Sequence, residues 1–350
     1  MSIGDNARFG YDAFLGVAEE TTFGSTATSA SFTYVEFGTE SLKRTREELK
    51  LESINTSRDF RRRLTMNETV EGAVECDLNV ASDAVVYIMK QAMGGTVASE
   101  VETAAVSYKH TFYQGDMENN KGTSTADDVK SLTFRVAKGA HDTSTTNMWD
   151  FNGCRVNNLS IKGEVGSPVI MTAELVGKTA SLCSTVPTVA FSNVAPCTFI
   201  GATVEVGDSL DSTTAESFTG FEVSINNNLV SDTNARVLGE RTVKILPPTR
   251  REIGLKLTQR YDTTTAYQRA IDETSMAIII KLDSLQTIGA AATTYSMHIK
   301  LPTCYFNSNM PEIGDFGVIT HELEVSPISS NTSTGYSIQL EMFNATANYE

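Results

Sequence analysis

The sequence predicts a mainly β protein built from two tandem β-sandwich or open-barrel domains, each with one flanking helix. Three observations predict it: period-2 alternation dominates, helical periodicity appears once per half, and segments of the two halves repeat.

The alternation is cleanest at 70–80. Val74, Cys76, Leu78 and Val80 point one way, and Glu71, Ala73, Glu75 and Asp77 the other. A sheet with one apolar and one charged face packs on one side and meets water on the other. At 171–175, Met171, Ala173 and Leu175 form the buried face, with Thr172 and Glu174 outward. At 319–323, Ile319 and Leu323 point inward, with Thr320 and Glu322 outward. A helical stretch from Ser82 to Ala92 follows the first strand and stops at Gly94-Gly95. In the second half, a strand at Glu252–Arg260 precedes helical character over Thr264–Glu273.

The repeat is read from short matches. Residues 166–175 (Gly-Ser-Pro-Val-Ile-Met-Thr-Ala-Glu-Leu) and 314–323 (Gly-Asp-Phe-Gly-Val-Ile-Thr-His-Glu-Leu) share Gly, Thr, Glu and Leu at one offset. Cys154-Arg155-Val156-Asn157 falls against Cys304-Tyr305-Phe306-Asn307, and Glu40–Arg46 against Phe221–Ile225. These matches divide the chain at 1–186 and 187–350. The stretch 96–148, rich in Gly, Asn, Asp, Ser and Thr, is expected to be a polar surface insertion in the first domain.

Composition narrows the function. The chain has 350 residues, 40% hydrophobic and 20% charged, which suits a folded protein with room for two cores. A net charge of −15 argues against attraction to nucleic acid or to an anionic membrane. No basic-then-apolar leader predicts a signal peptide, and no run is long enough for a spanning helix. Cys76, Cys154, Cys183, Cys197 and Cys304 are odd in number and spread out, with no CxxC pair. They are expected to be reduced, in a protein made in the cytoplasm.

Catalytic patterns are missing: no phosphate loop, no GxGxxG, no GxSxG and no HExxH. His110, His141, His298 and His321 are scattered, and His321 stands where its copy has Ala173, which favours packing. Glu19-Glu20, Glu47-Glu48 and Asp127-Asp128 are neighbours in sequence, and neighbours on a strand point to opposite faces. The sequence therefore predicts no catalytic residue, cofactor or metal. One segment stands out between Arg44 and Met66, where Arg58, Arg61, Arg62 and Arg63 surround Phe60. In an acidic protein such a cluster is expected to seek carboxylates on another copy of the chain. A solvated loop with local ion pairs, or a nucleic-acid patch, are the other readings.

The segment Tyr11–Gly24, with its Glu-x-Thr and aromatic-Gly, resembles the opening of major tail tube proteins of long-tailed, non-contractile bacteriophages. Phe151–Lys162, followed by Gly166-Ser167-Pro168, resembles that family's strand-turn-strand, and Phe221–Leu229 a recurrent entry into its sheet. The resemblance implies tail-tube-like domains, joined edge to edge into a barrel around a channel, in rings that stack. With two domains per chain it implies a trimer of pseudo-six-fold symmetry, a hexamer being the alternative. It places Arg58, Phe60, Arg61, Arg62 and Arg63 in a loop reaching the next ring. Glu71, Glu75, Asp77 and Lys256 would face the lumen, through which the tape measure protein and then DNA pass without specific binding. Other tail proteins would meet the tube ends, in a virion tail assembled in the host cytoplasm with no membrane partner. A two-domain binding or capsid-decorating module would want aromatic platforms, and Trp149 is the only Trp. A hydrolase would need a convergent carboxylate pair.

Overall fold

The structure, a computed structural model, describes residues 10–28, 31–52, 54, 58–94, 96–103, 106–115, 130–139, 147–183, 187–262, 264–307, 310–311, 313, 316–329 and 335–349. Gly95, Asp127, Asp128, His141, Gly314 and Asp315 lie outside these residues.

The first half runs β1 (Phe14–Glu19), β2 (Thr33–Val35), β3 (Thr39–Glu40), β4 (Lys43–Lys50), β5 (Arg63–Asp77), α1 (Asp83–Met93), β6 (Thr96–Thr103), β7 (Ser107–Tyr113), β8 (Leu132–Ala137), β9 (Met148–Glu164), β10 (Ile170–Gly177) and β11 (Thr179–Cys183). The second runs β12 (Ala202–Gly207), β13 (Thr213–Glu216), β14 (Gly220–Asn226), β15 (Glu252–Arg260), α2 (Thr265–Ile271), β16 (Met276–Thr287), β17 (Thr294–Phe306), β18 (Thr320–Pro327) and β19 (Gln339–Asn344). The chain is mainly β, as the alternation predicts.

Every strand pairing is antiparallel, and the two halves pair in the same order. β4–β5, β5–β10, β10–β9, β9–β8, β8–β1, β1–β2 and β9–β11 occur in the first. β14–β15, β15–β18, β18–β17, β17–β16, β16–β12, β12–β13 and β17–β19 occur in the second. In each half one long strand, β9 or β17, changes partners along its length with a bulge near the change, and β9 thereby crosses from one sheet to another. Cys154 and Cys304 sit at these two bulges, each with Sγ turned to the carbonyl three residues back, Phe151 at 3.4 Å and Leu301 at 3.9 Å. With Cys154 set against Cys304, the pairings set Val156 against Phe306, and so Leu175 against Val325. That lies two residues from the sequence match of Leu175 with Leu323, and a slip of two leaves every side chain on its face.

The polar faces follow the sequence. In β5, Val70, Val74 and Cys76 are buried, while Glu71 and Asp77 are exposed and Glu75 is half-buried. In β18, His321, Leu323 and Val325 are buried while Thr320, Glu322 and Glu324 are exposed. All five cysteines are buried and none is in a disulfide, and burial pushes the thiols of Cys76, Cys197 and Cys304 up to about 12.

Two expectations need correction. Helix α1 is enclosed rather than flanking, with nine of its residues, Ala84 to Met93, buried; its apolar residues cover nearly the whole circumference, so sheets pack around it. It ends at Gly94, whose φ of 109° permits a left-handed cap returning its N–H to the Lys90 carbonyl. Helix α2 buries only Ala266 and Ala270 and does lie on a flank. The stretch 96–148 is only in part a polar insertion: it supplies β6 and β7, and β8 lies wholly buried between β1 and β9. β8 is covered on both faces, by the main core and by a smaller cluster containing Phe14, Phe32, Tyr34 and Met148. A strand buried on both faces reads as a continuous run rather than an alternating one.

The halves are tied together by β14 on β9, by β7 on β19, and by the C-terminal residues on α1. Tyr349 donates its hydroxyl to Asp83 at 2.6 Å, and its carbonyl accepts from Lys90 Nζ at 2.7 Å. His110 is fully buried beside it, with Nε2 3.0 Å from Asn344 Oδ1 and Nδ1 2.9 Å from Ser99 Oγ. Because Asn344 Nδ2 is spent as a donor to the Tyr349 hydroxyl, its Oδ1 accepts from Nε2–H and the neutral ring then accepts from Ser99. Burial lowers the affinity of His110 for a proton below its ordinary value of 6.5, and does the same to His298. The unfolded chain therefore binds these protons more readily, so stability is full above pH ~6.5 and falls as pH drops through that value. Urea denaturation at pH 7.5 and 5.5 should show this loss, and His110→Gln should remove part of it; an unchanged difference in that variant would clear His110 of the effect.

Candidate functional site

The predicted opening motif has a structural role. Glu20 is buried, and its Oε2 accepts from Gly24 N at 2.8 Å and Ser131 Oγ at 2.6 Å. Its Oε1 accepts from Thr133 Oγ1 at 2.8 Å and Gly153 N at 2.7 Å. Burial raises the carboxyl above its ordinary range, and these hydrogen bonds oppose that rise. Gly153 has φ 69° where β9 crosses between sheets, and a Cβ there would come within 2.7 Å of Lys178. Phe23 packs over this place, its ring 5.2 Å from Lys178 Nζ. Glu-x-Thr and aromatic-Gly thus fix the crossing of β9.

Beyond that crossing, a single sheet runs β4–β5–β10–β9–β14–β15–β18. One face packs on the core and the other is polar. Glu71, Glu75 and Asp77 lie on that polar face in β5, with Glu174 of β10 beside them. Lys256 lies on it in β15, four strands away, opposite Glu222 of β14 and Glu324 of β18. The basic residue that looks out of place among the predicted lumen residues is therefore set between two carboxylates of its own chain. Opposite charges across a strand pair contribute modestly, by ~0.2–1 kcal/mol.

The arginine cluster lies on an arm. β4 and the first part of β5 form a hairpin that extends from the body, and all of β4 is exposed. β4 pairs with β5 alone among the described strands, so its other edge is open. At the tip lie Arg58, Phe60, Arg61, Arg62 and Arg63, all exposed. Arg63 ion-pairs with Glu48, and the Lys50 ammonium lies 5.9 Å from the Phe60 ring centre. Leu49, Ile54, Phe60, Leu64 and Met66 of the arm are all exposed apolar residues. The equivalent connection between β14 and β15, residues 227–251, instead folds onto the first half. Arg241 O accepts from Glu68 N at 2.9 Å, and Leu246 O accepts from Arg155 Nη1 at 3.0 Å. Asn227 donates to the carbonyls of Ala92 and Val156 at 3.0 and 3.1 Å.

The sheet has two unlike ends. At the arm end, residues 50–63 hold five basic and two acidic residues, and residues 227–251 hold the same numbers. At the other end the register brings Asp77, Glu164 and Glu322 near the strand limits, with Glu36 lining the same cleft as Asp77. Exposed Val165 and Ile200 lie there with Phe316 and Val318. The alternation marked Asp77 and Glu322 as outward-facing, but nothing in the sequence grouped them with Glu36 and Glu164 into a rim. No three His, Cys, Asp or Glu among the described residues are grouped to hold a metal. No helix among the described residues is long and apolar enough to cross a membrane.

A family model described as phage tail tube protein matches residues 10–327, nearly the whole chain. No curated protein matches the sequence.

Proposed function

Because the chain belongs to the phage tail tube protein family, we propose that it self-assembles into stacked rings whose channel carries the genome during ejection. Each ring holds three chains, and the two parts of each chain, 1–186 and 187–350, are tandem tail-tube-like domains related by internal duplication. The protein acts as a structural virion component of a non-contractile tail and not as an enzyme.

The observation that carries this reading is the junction of β14 on β9. The two halves use the same pairings in the same order, and this junction continues one half's sheet into the other's. Its first-half counterpart to β14 is β4, whose outer edge is open, and the counterpart to β9 is β17. Repeating the junction between chains puts β4 of one chain beside the continuation of β17 in the next, residues 308–314 by the match of Cys154 with Cys304, four of which lie outside the described residues. Repeated around a ring, that contact covers the open outer edge of every β4. Six similar domains then close with three chains.

In this assembly the polar sheet face lines the channel, with Glu71, Glu75, Asp77 and Lys256 in its wall. A net acidic wall repels phosphate, so the tape measure protein and DNA pass without holding fast. The arm bearing Arg58, Phe60, Arg61, Arg62 and Arg63 reaches the adjacent ring, and other tail proteins meet the tube ends. Assembly takes place in the host cytoplasm. Native mass spectrometry of the smallest closed ring should give three chain masses; six would overturn the trimer and favour a hexamer with the second domain outside.

A further inference from the structure

We propose that the arginine arm docks on the acidic rim at the opposite end of a second copy of this chain, around Glu36, Asp77, Glu164 and Glu322. The inference rests on the tube reading and supplies the surface which that reading leaves unnamed.

The strand register defines the geometry. In the shared sheet, Asp77 stands opposite Ile170, Glu164 opposite Gly220, and Thr258 opposite both Gly220 and Glu322. These residues therefore lie at one end of the strands. The arm leaves from the other end, past Val70, and its tip lies beyond Lys50 and Arg63. Copies stacked along the strand direction consequently present the arm of one to the rim of the next, without any change of fold.

Charge and exposure both fit that contact. The arm end carries a basic excess in a protein of net charge −15, so the acidic charge is concentrated elsewhere. Glu36, Asp77, Glu164 and Glu322 are all exposed. The rim also holds Arg260 and Lys162, the latter held by Glu164 at 2.8 Å, so the acidic excess there is moderate. Apolar side chains match as well: Phe60 is 60% exposed on the arm, and Val165 is 63% exposed on the rim. Burying these against each other shields the surrounding ion pairs from water, and apolar anchors within a charged border are the usual composition of a specific contact. A nucleic-acid partner for the arm would not account for apolar residues at both ends of the sheet.

A charge-exchange experiment tests this with the full chain. One variant carries Arg58→Glu, Arg61→Glu and Arg62→Glu; another carries Glu36→Lys, Glu164→Lys and Glu322→Lys. All six positions are exposed, and unchanged circular dichroism confirms folding. By electron microscopy and sedimentation, each variant alone is expected to stop at rings, whereas mixing the two, or combining both sets in one chain, restores long tubes. If the rim variant forms tubes of ordinary length while the arm variant does not, the rim is overturned as the docking site and the tube reading stands. If the combined chain gains nothing over either set alone, direct contact is overturned. If unaltered protein stays monomeric at high concentration, the tube reading itself fails, and this inference with it.

Discussion

Replacing Asp150 with alanine is expected to destabilise the fold by about 3–5 kcal/mol, because it strands a buried guanidinium. Arg135 and Asp150 form a two-point contact, Nε to Oδ1 at 2.7 Å and Nη2 to Oδ2 at 3.0 Å. Both side chains are almost wholly removed from water, at 2% and 5% exposure. The guanidinium also lies over the Phe32 ring, 4.1 Å from its centre, inside the smaller apolar cluster. A charge left alone in that place keeps its desolvation cost and loses the attraction that offset it. The pair itself need not be strongly favourable: Arg135→Met with Asp150→Leu should recover most of the loss. Urea denaturation of the two chains checks this. A loss below ~1 kcal/mol for Asp150→Ala would mean that water reaches Arg135 and that the pair behaves as a surface one.

Glu20→Ala should be comparably damaging. It removes the acceptor of two backbone N–H groups, Gly24 and Gly153, and of the Ser131 and Thr133 hydroxyls. Each buried donor left unsatisfied costs ~1–3 kcal/mol, and together about 3–5 is expected because the losses do not add fully. Thr133 softens the loss, since it keeps Asn152 Oδ1 at 3.3 Å. Glu20→Gln should remain impaired, as its amide NH2 must face donors where an oxygen now accepts. Thermal melts of both variants give the measurement. If alanine melts with the unaltered protein, the crossing of β9 is held by Phe23 and Lys178 packing instead.

Much of the arrangement was legible because it depends on period. The alternation over 70–80 fixed which side chains of β5 face water, and the arginines beside Phe60 marked a segment too polar for the core. The helix limits were legible to within a residue or two, since Gly94 ends α1 through a backbone conformation that the other residues avoid. The motif around Glu20 was recognisable as a pattern, yet nothing nearby in sequence told what the carboxylate does. Its partners Ser131, Thr133 and Gly153 lie more than a hundred residues away.

By itself the sequence determined the β class, the polar face of the main sheet, the basic arm and the resemblance to tail tube proteins. All of these rest on spacings of a few residues, which secondary structure reads directly. Tertiary structure alone decided that α1 is enclosed, that Leu132–Ala137 is a core strand, and that Lys256 stands between Glu222 and Glu324. It also set the acidic rim opposite the arm. Those outcomes depend on which distant segments become neighbours. A buried Arg135 reads as surface until Asp150 is placed beside it, because a charge is tolerated in the interior only through a partner that local sequence does not reveal.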